Sequence, residues 1–206
     1  MSFKSITLKD LKEQFGIAIK QGFIFQNVEI APVEPSEFLH KQLKIADRLP
    51  LRSEKAKSEF VVAPVLVEVQ NITDRFITIY SGEVLQAAPD DGLVGECDFL
   101  LVKASDSYLL DMPILTVVEA KRENIEWGIQ QCAAQLYGAF IYNQQNSNLE
   151  LERLYGCVTT GREWQFLMLE NRRTIWIDPN VYSMENLPKI LGIFQHIIAY
   201  YRKRLE

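Results

Sequence analysis

The 206-residue chain has no apolar run approaching the length of a membrane span. Its start, MSFKSITLKD, lacks the apolar core of a secretory leader, so nothing marks it for export. Cysteine is scarce. Cys97, Cys132 and Cys157 are odd in number, widely spaced and never in a CxxC pair. That argues against a disulfide framework or a cysteine zinc site, and makes a reducing cytoplasm the expected compartment. Histidine is scarcer still. His40 and His196 each lie away from any cysteine or carboxylate cluster, which leaves zinc ligation and a Ser-His-Asp triad without support. No phosphate-cradling glycine loop and no GxGxxG fingerprint is present, which disfavours nucleotide hydrolysis and dinucleotide binding. There is no repeat, no low-complexity linker and no general basic excess. The net charge is −5, unlike a general polyanion binder. The charge is uneven: residues 1–60 carry ten Lys/Arg and eight Asp/Glu, for +2, and residues 61–206 carry twelve and nineteen, for −7.

What the chain does have is apolar material, 48% of its residues, enough for the core of one domain. Thr7 with Asp10 three residues on resembles a capping box for a short helix over 7–15. GFIFQNVEI, 22–30, reads as a strand. Ser36 caps an expected helix over 36–49, and Ser53 another over 53–69, with a kink or restart at Pro64. RFITIYSGEVL alternates like a strand, a turn follows at Asp91-Gly92, and a strand is expected near 97–103. The apolar run after Pro113 is a strand, 124–143 a long helix, and LERLYGCVTT another strand. REWQFLML and TIWI read as two more strands before a closing helix from Met184. The central order is helix, strand, strand, strand, helix, strand. It implies an α/β fold with a mixed sheet and helices on both faces. Trp127, Trp164 and Trp176 read as packing residues, and the terminal RKRL as a charged helix end.

The segment LTVVEAKRENIEWGIQQCAAQLY, 115–137, is the unusual one. A core strand ends in Glu119 and Lys121, which alternation puts on one side with Leu115 and Val117. Taken alone, an E-x-K triplet fits a strand emerging into solvent. Upstream, however, Asp98 opens an apolar strand 21 residues before Glu119, and KASDSYLLDMP can connect the two strands. Asp98 and Glu119 then reach a common point, a hard-oxygen environment of the kind Mg²⁺ prefers. Lys121 there orients a water or offsets charge building on a phosphate. Glu59 in the preceding helix is a candidate third acid, and Glu96 a spare ligand. Gln131 and Gln135, one helical turn apart, either support the site or face solvent.

Glu59, Asp98 and the Glu119-Ala120-Lys121 triplet, followed by a glutamine-bearing helix, resemble the PD-(D/E)XK nuclease superfamily over residues 53–160. The tail GCVTTGREWQFLML is similar to the strand-turn-strand of the amino-terminal nuclease domain of type I restriction subunits, although no helicase motor follows. The resemblance implies a restriction-endonuclease-like α/β/α sandwich. Its core would be 53–160, with an N-terminal helical and strand extension over 1–52 and C-terminal strands and a helix over 161–206. It implies Mg²⁺-dependent, or Mn²⁺-dependent, hydrolysis of DNA phosphodiesters in defence or repair. Asp98, Glu119 and the Ala120 carbonyl would hold metal. Lys121 would assist the water, Glu59 would be an accessory acid and Gln135 a supporting residue. One departure is that no proline precedes Asp98. The literal pair is Pro89-Asp90, which makes Asp90 the competing aspartate. Duplex or branched DNA is the expected partner, with a homodimer to cut both strands and no membrane. RNA is a weaker alternative substrate. A binding or assembly module that keeps the fold without turnover is the alternative function.

Overall fold

The computed structural model describes residues 2–105, 113–147 and 151–206. Among the described residues seven strands form one path and an eighth joins its flank. They are β1 (Ala18–Gln21), β2 (Ile77–Ala88), β3 (Leu93–Lys103), β4 (Ile114–Ala120), β5 (Arg153–Thr159), β6 (Glu163–Glu170), β7 (Thr174–Ile177) and β8 (Tyr182–Ser183). The spatial order is β1-β7-β6-β5-β4-β3-β2, with β8 paired to β6. The sheet is mixed. β2, β3 and β4 run antiparallel in succession, β4 and β5 are parallel, β5, β6 and β7 are antiparallel, and β1 is parallel to β7. The helices are α1 (Leu8–Glu13), α2 (Glu37–Ala46), α3 (Glu54–Lys57), α4 (Ala63–Ile72), α5 (Ile125–Asn146) and α6 (Leu187–Leu205). Among the described residues no helix is long and apolar enough to cross a membrane. The segment 106–112, expected to connect β3 with β4, lies outside the described residues.

Every residue of β4 is buried, as expected of a central strand covered on both faces. The long crossover that joins the parallel pair β4 and β5 carries α5 across one face. Gly156 of β5 lies under Cys132 and Leu136 of α5; a Cβ there would stand 2.8 Å from the Cys132 sulfur. Leu167 pairs with Gly156, so Phe166 and Trp164 project to the other face, where both rings meet Phe194 of α6 edge-on. Helices therefore cover both faces. The Tyr201 hydroxyl of α6 bridges the two parallel strands, donating to the Leu115 carbonyl at 2.5 Å and accepting from the Tyr155 amide at 3.2 Å. Tyr201→Phe removes both bonds inside a dry core. The expected loss is about 1–3 kcal/mol of unfolding free energy, read from the midpoint of urea denaturation.

Two local expectations change. The strand expected over 22–30 is not formed; the sheet strand is Ala18–Gln21, just before it. Gly22 ends the pairing, and its Cα rests against the Trp176 ring, where a Cβ would approach to 2.8 Å. Phe25 then turns in as a single plug, its ring edge-on to Phe166 and His196. The restart at Pro64 takes the form of a π turn over Ser58–Val62, between α3 and α4. Proline cannot donate to the preceding turn and crowds the carbonyl four residues back; the wider turn makes room for it. The Ala63 amide bonds to the Ser58 carbonyl, five residues back.

Candidate functional site

The C-terminal ends of the parallel strands β4 and β5 gather the charged groups. β3 and β4 pair Phe99 with Val118, so the next residues outward, Asp98 and Glu119, face each other across the ladder on one side of the sheet. The Asp98 carboxylate turns back onto β4, and Oδ2 accepts the Ala120 amide at 2.7 Å. Glu119 is 1% exposed, so the strand does not emerge into solvent there. Its Oε1 accepts from Lys121 Nζ at 2.5 Å and its Oε2 from Gln135 Nε2 at 2.8 Å.

α5 supplies the wall over this edge. Asn124 caps it by accepting the Glu126 amide. Gly128 permits the close approach: a Cβ there would lie 2.3 Å from Val158 Cγ1 and 2.9 Å from Lys121 Cγ. Gln131 and Gln135 project from successive turns of one face. Gln131 Oε1 accepts from Lys121 Nζ at 3.3 Å. Gln135 is fully buried; it also donates to the Glu96 carbonyl at 3.4 Å, and its Oε1 has no partner among the described residues. Both glutamines therefore face the site and not solvent.

The third acid is not the expected one. Glu59 is exposed in the π turn and pairs with Lys55 at 3.7 Å. Glu54, in the first turn of α3, is the residue whose carboxylate stands 3.8 Å from Lys121 Nζ. Glu54 lies in the α-helical turn and Glu59 in the wider π turn that follows, where it pairs with Lys55 instead. Glu54 was legible only as a carboxylate one residue after the Ser53 cap. Asp90 sits in the turn Pro89–Asp91 that closes the β2–β3 hairpin. From Leu93 to Asp98, β3 runs about 16 Å, which separates Asp90 from the acidic pair. Glu96 is exposed, two residues outward of Asp98.

Burial first, then the Asp98 charge, pushes the Glu119 carboxyl up to about 7, against the opposing pull of Lys121 and Gln135. Burial likewise raises Asp98 above its ordinary range, opposed by the Ala120 amide and Lys121. For Lys121, burial works against the ammonium, but the Glu119 charge and hydrogen bond, then Glu54 and Asp98, outweigh it and raise its pKa. Lys121 is therefore a fixed cation, unsuited to accept a proton near neutral pH.

These energetics suit a divalent ion. Two carboxylates that resist ionising side by side are relieved by a cation between them. Asp98 Oδ1 is not engaged by the Ala120 amide, and the buried Gln135 Oε1 is an acceptor left over for a water of the ion's shell. The donor set is small: no group of three His, Cys, Asp or Glu side chains suited to a metal occurs among the described residues. One or two carboxylates completed by water and phosphate is how Mg²⁺ is commonly held, so the residues fit that ion.

The linkage has a measurable sign. The Glu119 pKa in the folded protein, about 7, lies above its ordinary 4.5. The folded state holds that proton more tightly than the unfolded chain. The resulting stability is complete below about 4.5 and is lost as pH rises through about 7. In melts with EDTA, the wild type should lose stability relative to Glu119→Gln across that window, and added Mg²⁺ should restore it at the upper end.

Compared with known proteins, the chain matches no protein-family model and no curated relative.

Proposed function

We propose that the chain is a restriction-endonuclease-like nuclease that hydrolyses DNA phosphodiester bonds with Mg²⁺ held at Asp98 and Glu119. The observation that carries the proposal is the cross-strand pair of acids, Glu119 buried and Asp98 half-buried, beside the Lys121 ammonium. The sheet adds support. β2, β3, β4, β5 and β6 are neighbours in sequence order, with the parallel pair β4 and β5 in the middle and α5 as its crossover. Glu119 lies at the carboxyl end of β4 in the parallel pair, the edge where open α/β sheets gather ligands.

The roles follow from the contacts. Asp98 and Glu119, with the Ala120 carbonyl at the same strand end, would hold the ion. Bound there, Mg²⁺ supplies positive charge to the scissile phosphate and lowers the pKa of a bound water. Gln135 fixes the Glu119 carboxylate, and the Ala120 amide fixes Asp98. Lys121 remains an ammonium, so it donates to the incoming water or to a phosphate oxygen as negative charge grows. Gln131 and Glu54 hold its amine at the strand end. Substrate must then displace Lys121 from part of this cluster, since Glu119 and Gln131 both accept from it.

The test is hydrolysis of single-stranded, duplex and branched DNA with Mg²⁺, Mn²⁺ or EDTA, combined with titration calorimetry of each cation. Metal-dependent cleavage with heat of binding is expected. Inertness on all three substrates, with no heat from either cation, would instead leave a binding or assembly module on the same fold.

A further inference from the structure

We propose that Trp127 is a stacking platform for an unpaired nucleobase at the lip of the acidic site, so that the site receives single-stranded DNA. The inference rests on the nuclease reading for the identity of the site. Trp127 departs from its expected packing role: it is 74% exposed, the most exposed large apolar side chain among the described residues. The other two tryptophans are used by the fold. Trp164 is fully buried against Phe194, and the Trp176 indole donates to Glu170.

The position of Trp127 is fixed by its neighbours. Trp127, Gln131 and Gln135 follow one another at four-residue intervals on one face of α5. Gln135 holds Glu119, Gln131 holds Lys121, and Trp127 is the next turn, about 5–6 Å further along the axis. Its chain neighbour Gly128 is pressed against Val158 and the Lys121 stem, which ties this end of the helix to the strand end. The indole thus continues the row of site residues beyond the sheet.

Across the strand ends lies a complementary feature. A groove of about 720 Å³ between the end of α2 and the β5–β6 turn is lined by Arg52, Arg162 and Lys57 together with Leu49, Leu51 and Met184. Neither guanidinium is paired with a carboxylate among the described residues, although Asp47 and Glu185 line the same groove. Lys57 donates to the Arg122 carbonyl, beside Lys121, and so joins the groove to the site. Unpaired cations on one flank and an aromatic face on the other are the elements that hold a single strand: backbone on charge, base on ring. Within a duplex each base is stacked between its neighbours, and only the terminal pairs offer a face to the indole. Arg122, Glu123, Asn124 and Glu126 around Trp127 are all exposed and polar.

The experiment uses the full chain in EDTA, so that no turnover is required. Labelled oligothymidylate and a blunt duplex of similar length are titrated by fluorescence polarisation, and indole emission is followed in parallel. The single strand should quench the wild-type emission. Trp127→Ala should remove that quenching and weaken single-strand binding about tenfold, while Trp127→Phe retains most of it and duplex binding is unchanged in both. Because Trp127 is exposed, melting curves should overlay across the variants. Equal oligothymidylate affinity in wild type and Trp127→Ala overturns the proposal, as does absence of wild-type binding or an equal loss on the duplex. Cleavage assays with Mg²⁺ separate the two ideas. Weakened binding without any wild-type cleavage sinks the nuclease reading alone; cleavage with unaltered binding sinks the stacking role alone.

Discussion

Lys121→Ala should abolish measurable Mg²⁺-dependent cleavage, with kcat falling about 10²–10⁴-fold, while the fold persists. The ammonium sits within reach of Glu119, Gln131 and Glu54 and is only 15% exposed. Its removal takes away the one cation bonded to this acidic edge among the described residues. Glu119 then loses a bonded partner, and its carboxyl titrates higher still, because burial and the Asp98 charge are no longer opposed by Lys121. Metal affinity and chemistry should separate. Lys121→Ala keeps both acids and should still give a calorimetric signal with Mg²⁺. Glu119→Ala should lose the heat and the cleavage together. Lys121→Arg should recover little, because a planar guanidinium cannot occupy the point that the ammonium shares among three acceptors. Cleavage that survives equally in Lys121→Ala and Glu119→Ala would mark a contaminating nuclease and remove the basis for the proposed function.

The second large effect is expected at a residue that touches no substrate. Gly128→Ala places a methyl 2.3 Å from Val158 Cγ1 and 2.9 Å from Lys121 Cγ. Val158 is fully buried in β5 and cannot swing away. The start of α5 must therefore lift, at a cost of about 1–3 kcal/mol. Gln131 lifts with it, and Lys121 loses an acceptor. Unfolding free energy and cleavage should fall together, unlike the Trp127 variants. Adding Val158→Ala vacates the contested space. The double variant should be more stable than the sum of the two single changes, with a coupling of about 0.5–3 kcal/mol. Strict additivity in urea denaturation would show that the glycine is not needed for this close approach.

The placement of the site residues shows what kind of information each kind of pattern carries. Two-residue alternation sufficed for Asp98 and Glu119: once two apolar strands are neighbours, register alone sets the acids opposite one another. The choice of Asp98 over Asp90 likewise follows from strand against turn. No local pattern says which acid of the preceding helix reaches a strand end distant in the chain. The π turn at Ser58–Val62 precedes the Pro64 restart, and Glu59 lies inside it, whereas Glu54 lies in the regular turn before it. Gln131 and Gln135 had the right spacing, but spacing does not say which face of a helix meets the sheet. That orientation came from Gly128 and Gly156, where the helix lies close to the strands. The exposed indole at Trp127 runs against the packing role expected of it, and the polar Arg122, Glu123, Asn124 and Glu126 beside it were the sequence signal.

By itself the sequence determined the central succession from α4 to β5, the buried character of β4, and the acids and amine at its end. Each is written in short-range periodicity, which the backbone enforces within a few residues. Tertiary structure alone decided that Glu54 and not Glu59 meets Lys121, that both glutamines point inward, and that the first 21 residues complete the sheet through β1. Those outcomes depend on contacts between segments distant in the chain. They are settled by packing volume and charge pairing across the fold, which local pattern does not encode.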